Sequence, residues 1–188
     1  MFLYDIALFI HVMAVVAMFT VIGIVMVSVM GMRRAQTVEQ LQERTSLAYG
    51  ADKLMPAILV LVLVPAIYMV FTLWGWTTAW INTALIVLVL ASPLGPAINT
   101  RRLEALSKAA EGASAGPLSV ALLKQRDDHV LWASCCIFTA ILIGIVFLMT
   151  VKPGLVGSLA TIVVALALGL ITSVVPGRIP AMRKSLSW

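Results

Sequence analysis

Residues 2–34 read FLYDIALFIHVMAVVAMFTVIGIVMVSVMGMRR, an apolar stretch that ends in two arginines. A helix from about Phe2 to Met30 can cross the hydrocarbon core of a bilayer, which takes roughly 20 residues. No basic segment precedes the stretch, and its apolar run is longer than that of a signal peptide, so we expect a retained span. The stretch therefore predicts an integral membrane protein.

The rest of the chain repeats this pattern. Of its 188 residues, 62% are hydrophobic and 11% charged, and the mean hydropathy is +1.07, whereas soluble domains are roughly half apolar and about a quarter charged. Further apolar stretches cover about 54–74, 79–99, 129–151 and 155–175. They predict an all-α bundle of five transmembrane helices that forms a single transmembrane domain over residues 1–188.

Basic residues collect in every second connection and so predict an orientation. Twelve of the thirteen lie on one side of the predicted membrane, and Lys152 alone lies on the other. The positive-inside rule then places the N-terminus outside and the C-terminus in the cytoplasm, and we expect a bacterial inner-membrane protein. The twelve are Arg33, Arg34, Arg44, Lys53, Arg101, Arg102, Lys108, Lys124, Arg126, Arg178, Arg183 and Lys184.

Two further features fit this orientation. Trp74, Trp76 and Trp80 flank an uncharged turn, as expected of an aromatic belt at the outer interface. The basic segments explain the high isoelectric point by attraction to anionic lipid headgroups, so membrane lipids are expected partners and nucleic acid is not.

The predicted cytoplasmic loops carry short amphipathic helices. Residues 36–48 form one, and a second extends the third span through Arg101, Arg102, Leu103 and Leu106. The sequence EGASAGP breaks that helix, and Pro117 can start another that leads into His129. These helices either dock a partner or cover the inner ends of the bundle.

His11 is the main candidate site residue, because polar side chains inside a span are costly and are often functional. A neutral imidazole there can ligate haem iron or copper, or it can donate a hydrogen bond to a neighbouring helix. Asp5 is expected at the interface. His129 is expected at the opposite membrane face, so one haem held by both histidines is not expected.

Other residues give weaker signals. Cys135 and Cys136 are neighbours on one helix and point about 100° apart, which favours packing over a disulfide or a metal site. The methionines predict pliable apolar packing rather than a copper site, because Met13 lies on another face from His11.

Backbone breaks and small residues indicate how the helices pack. Pro65 and the segment 92–96 predict kinks rather than the paired broken helices of a transporter site. Ala165, Gly169 and Ser173 recur every four residues and form a stripe for close helix contact, either within the bundle or with a second protomer.

Two segments carry a family resemblance. LFIHVMAVVAMFTVIGIVM (8–26) and HVLWASCCIFTAILIGIVFLMTVKPG (129–154) resemble helices of small, uncharacterised bacterial integral membrane proteins. These are distantly similar to the copper-resistance D-type and protoporphyrinogen-oxidase J-type haem-binding families. The resemblance implies that His11 is an axial haem ligand, although the tryptophan-glycine pair usual after that histidine is missing and a fifth span is added.

The leading hypothesis is thus a membrane protein that binds haem b or another redox metal or ligand through His11, as a small electron-transfer or accessory subunit. A structural or assembly subunit without a cofactor is the alternative, and a small transporter is the third. Other membrane subunits or further copies of the chain are expected partners. No catalytic motif is present, so the sequence gives no support to an enzyme.

Overall fold

The computed structural model describes residues 2–174, which form helices and connecting turns without a strand. The helices are α1 (Phe2–Arg34), α2 (Val38–Asp52), α3 (Met55–Met69), α4 (Ala79–Ala91), α5 (Arg101–Glu111), α6 (Val120–Arg126), α7 (His129–Val151) and α8 (Leu155–Val174). Wider π-helical turns at Val70–Trp74 and Pro96–Thr100 extend α3 and precede α5.

Within residues 2–174, five helical runs are long and apolar enough to cross a membrane, the number that the sequence predicts. They are Phe2–Arg34, Val38–Trp74, Ala79–Glu111, Val120–Val151 and Leu155–Val174. The fifth span was expected to reach residue 175, but Val175 and the basic residues Arg178, Arg183 and Lys184 lie outside the described residues. The orientation of the bundle stays a prediction.

The bundle has two chemically different ends. At one, which we call the tryptophan end, the rings of Trp74 and Trp80 meet edge to face at 5.5 Å, and the Lys152 ammonium lies 4.4 Å from the Trp74 ring. At the other, the basic end, the last turns of α1 meet α2, α5 and α6. There the Arg126 guanidinium donates to the Ala35 carbonyl.

The short helices at the basic end form a core of their own. Leu41 of α2 and Leu103 and Ala110 of α5 are fully buried against the end of α1. Thr37 caps the start of α2 by accepting from the Gln40 N–H. The predicted helix at 36–48 and the predicted extension of the third span are therefore both present.

The predicted helix start at Pro117 is wrong. The helix begins at Val120, where the Ser119 hydroxyl accepts from the Leu122 N–H. Pro117 instead forms an isolated antiparallel bridge with Thr37, and the neighbouring Gly116 carbonyl accepts from Val38. Contact with the α1–α2 connection thus keeps Pro117 out of the helix.

Small residues bring α7 and α8 into close contact. A side chain added at Gly169 would lie 2.7 Å from Cα of Ile137, and one added at Gly144 would lie 3.0 Å from Cβ of Ala165. Ala165 and Gly169 are buried. These two residues of the predicted stripe therefore face the bundle, while the Ser173 hydroxyl bonds the carbonyl of Leu170 in its own helix.

We expect Gly169→Ala to lower the free energy of unfolding by about 1–3 kcal/mol, because the added methyl group meets backbone that must shift. Gly23→Ala is the matched control, since an added Cβ at Gly23 has nothing within 4 Å and alanine favours a helix by up to about 1 kcal/mol. Thermal unfolding in detergent measures both changes. Equal transition temperatures for the two variants would contradict the close α7–α8 contact.

Candidate functional site

His11 lies on the buried face of α1, with 6% of its surface exposed. Its Nδ1 is 2.9 Å from the carbonyl oxygen of Val62 in α3. A carbonyl only accepts, so Nδ1 carries the proton, and a neutral ring then keeps a lone pair on Nε2. The interhelical hydrogen bond that the sequence allowed is thus present. It also fixes the tautomer in which Nε2 can serve as a ligand.

His11 lines a cavity of about 300 Å³ at the tryptophan end. Tyr4, Trp74, Trp80 and Lys152 also line it. The Trp74 indole N–H donates to the Tyr4 hydroxyl at 3.2 Å. The wall is mainly apolar, with aromatic rings and one ammonium group, which suits a flat apolar ligand with an acidic substituent.

Two methionines from other helices share this cavity with His11. Met69 belongs to α3 and Met149 to α7. Sequence reasoning considered only methionines on α1, because nothing in the spacing links these distant residues to His11. One imidazole and two thioethers are donors that haem iron and copper accept. Within residues 2–174, no group of three or more His, Cys, Asp or Glu side chains converges on a metal position.

The other predicted candidates lie elsewhere. Asp5 is exposed. His129 is exposed at the start of α7, next to Asp128, which pairs with Arg102 at the basic end. The two histidines therefore lie at opposite ends of the bundle, as expected. Cys135 and Cys136 are buried free thiols.

A second polar cluster escaped the sequence analysis. Asp52 ends α2 and is 7% exposed, and the Thr100 hydroxyl donates to its carboxylate. Close by in the fold, the buried Asn99 side chain bonds the Ser134 hydroxyl. Asp52, Asn99 and Thr100 line a central cavity of about 400 Å³ between α1, α3, α4 and α7. The sequence predicts a loop at Asp52 and the end of a span at Asn99, so it does not bring the two residues together.

Comparisons of the chain with models of protein families, with curated proteins and with solved structures found no match. The family resemblance of residues 8–26 and 129–154 stays a prediction.

We expect Thr100→Val to lower the free energy of unfolding by about 1–3 kcal/mol, because the buried Asp52 carboxylate loses its donor. Thr150→Val is the control, since the exposed Thr150 hydroxyl bonds only carbonyls of its own helix. Chemical unfolding in detergent gives both values. A Thr100→Val protein as stable as the Thr150→Val protein would show that the Thr100–Asp52 bond does not contribute.

Proposed function

We propose that this protein is a multi-pass protein of the bacterial inner membrane that binds a flat, mainly apolar redox ligand, such as haem b, in the cavity at the tryptophan end. His11 is the proposed ligand to the metal or contact to the ring. The observation that supports this most is the Nδ1 hydrogen bond to Val62, which orients the imidazole and leaves Nε2 with its lone pair.

The donor atoms around the cavity suit haem, whereas the volume of the cavity is small for it. Met69 or Met149 would hold the haem iron together with His11 through a thioether, since a His and Met pair is a known haem ligation. A cavity of about 300 Å³ is near the lower limit for ligand pockets. This volume suits a single aromatic ring better than a porphyrin.

The proposed role is that of a small electron-transfer or accessory subunit. Bound haem supplies one-electron chemistry, and the chain supplies the apolar wall, the ligand and the Lys152 ammonium near an acidic substituent. Other membrane subunits or copies of this chain are the proposed partners.

A structural or assembly subunit is the second candidate. The same His11 bond ties α1 to α3, and a hydrogen bond between helices needs no cofactor. The two candidates differ in what they require of residue 11. Ligand binding requires the imidazole, whereas an assembly role requires only an N–H donor.

The visible absorption spectrum of the detergent-purified chain tests the first candidate. We expect a Soret band in the wild type and in His129→Ala, and its loss in His11→Ala and His11→Gln. His11→Gln keeps an N–H donor for the Val62 carbonyl, so it should recover most of the roughly 1–3 kcal/mol of stability that His11→Ala loses.

Organic extraction of the wild type shows whether a smaller redox-active ring is bound instead. A colourless protein that yields no such compound would overturn ligand binding at His11. If His11→Gln then supports normal co-purification of partner subunits, the assembly role is favoured.

We also propose that the basic end faces the cytoplasm and the tryptophan end faces outward. Labelling of intact cells with a membrane-impermeant maleimide tests this, because the native cysteines are buried. We expect Thr77→Cys, in the tryptophan-end turn, to be labelled. We expect Ser114→Cys, in the loop before α6, to be labelled only after the cells are lysed. The reverse pattern would invert the proposed orientation.

A further inference from the structure

An open groove runs along one face of the bundle, between α1 and α8. It has a volume of about 890 Å³ and is lined by side chains of α1, α7 and α8. We call it the α1/α8 groove. Val164 and Leu168 of α8 and Ile143 of α7 are more than half exposed along it. No carboxylate lines the groove within the described part of the chain.

Trp132 lines this groove toward the basic end and is only 4% exposed. Its indole Nε1 is buried and has no hydrogen-bond partner within residues 2–174, and the same is true of the Arg33 Nε. The two side chains are neighbours, with the Arg33 guanidinium carbon 5.1 Å from the centre of the Trp132 ring. Buried N–H donors without acceptors are costly, so an acceptor from outside the described residues is expected.

Arg33 lies on the side of α1 that borders the groove. It follows Met26 and Met30, which both line the groove, at spacings that keep all three on one helical face. Arg33 forms no ion pair with any described residue. A positive charge and two unsatisfied donors therefore lie at one end of the α1/α8 groove.

We propose that the α1/α8 groove binds an anionic phospholipid. Its phosphate accepts hydrogen bonds from the Trp132 Nε1 and the Arg33 Nε, and one acyl chain lies along α7 toward Phe147. Arginine suits phosphate because its N–H groups form charge-assisted bonds. From Trp132 to Phe147 the helix rises about 22 Å, and half of the hydrocarbon core is about 15 Å thick. The groove is thus long enough for an extended acyl chain.

The surroundings favour an anionic lipid over a zwitterionic one. The Arg44 side chain packs over Gly31 on the same end of α1 as Arg33. Basic residues near the membrane surface attract anionic headgroups. This site is separate from the His11 cavity and does not depend on the proposed redox ligand.

Native mass spectrometry of the full chain in neutral detergent tests the proposal, with dioleoylphosphatidylglycerol and dioleoylphosphatidylcholine as probes. We expect the wild type to bind the anionic lipid more tightly. Arg33→Gln should weaken that binding about tenfold, as expected for loss of a charge-assisted bond. Arg34→Gln is the matched control, since it removes the same charge from a neighbouring exposed residue, and its affinity should stay within about twofold.

Trp132→Phe tests the proposed hydrogen bond from the indole, because it keeps an aromatic ring at this position but removes the pyrrole ring that carries the N–H donor. We expect the affinity for the anionic lipid to fall about three- to tenfold. Circular dichroism checks that each variant is helical. If Arg33→Gln does not fold, Arg33→Lys and Trp132→Phe test the lipid-binding proposal in its place.

Several outcomes would overturn the proposal. Equal losses of affinity for the anionic lipid in Arg33→Gln and Arg34→Gln would mean that general charge attraction holds the lipid. Equal binding of the two lipids would mean that the headgroup is not recognised. Displacement of the lipid by millimolar inorganic phosphate would indicate a free-phosphate site, and a dimer that excludes lipid would mean that a second copy covers the groove.

Discussion

Within lipid, every backbone and side-chain polar group has to find its partner inside the protein, and the rest of this structure depends on that constraint. It makes the spans helical, and it explains why the hydroxyls of Thr20 and Thr139 bond carbonyls of their own helices. It also explains the bond between His11 and Val62, which joins α1 to α3 through a polar pair in an apolar setting.

The same constraint makes the exceptions informative. Trp132 Nε1 and Arg33 Nε are buried without partners among the described residues, and both lie at the end of an open apolar groove. The His11 imidazole has one nitrogen satisfied and one that keeps its lone pair. A ligand binds most favourably where the chain leaves polar atoms without partners. It supplies the bonds that water cannot supply there. The proposed redox ligand and the proposed lipid follow from this single argument.

Much of the fold was predictable, because long apolar stretches and their periodicity are local properties of the chain. The spans beginning at Phe2 and His129 match the helices within a few residues, and the short helix expected at 36–48 overlaps α2. The start of α6 was not predictable, since the bridge between Pro117 and Thr37 joins residues far apart in sequence. Proline favours the first turn of a helix in general, and here a tertiary contact prevailed.

The sequence by itself determined that the chain has five apolar stretches of membrane length, that most basic residues gather at one end and Trp74, Trp76 and Trp80 at the other, and that His11 is the polar residue to explain. The tertiary structure alone decided what surrounds that histidine, because the Val62 carbonyl on another helix accepts its hydrogen bond and Met69 and Met149 line the same cavity. It also decided that Asp52 meets Thr100 and that Arg33 meets Trp132. Hydropathy and charge are summed along the chain, whereas a site is made by side chains that only helix packing brings together.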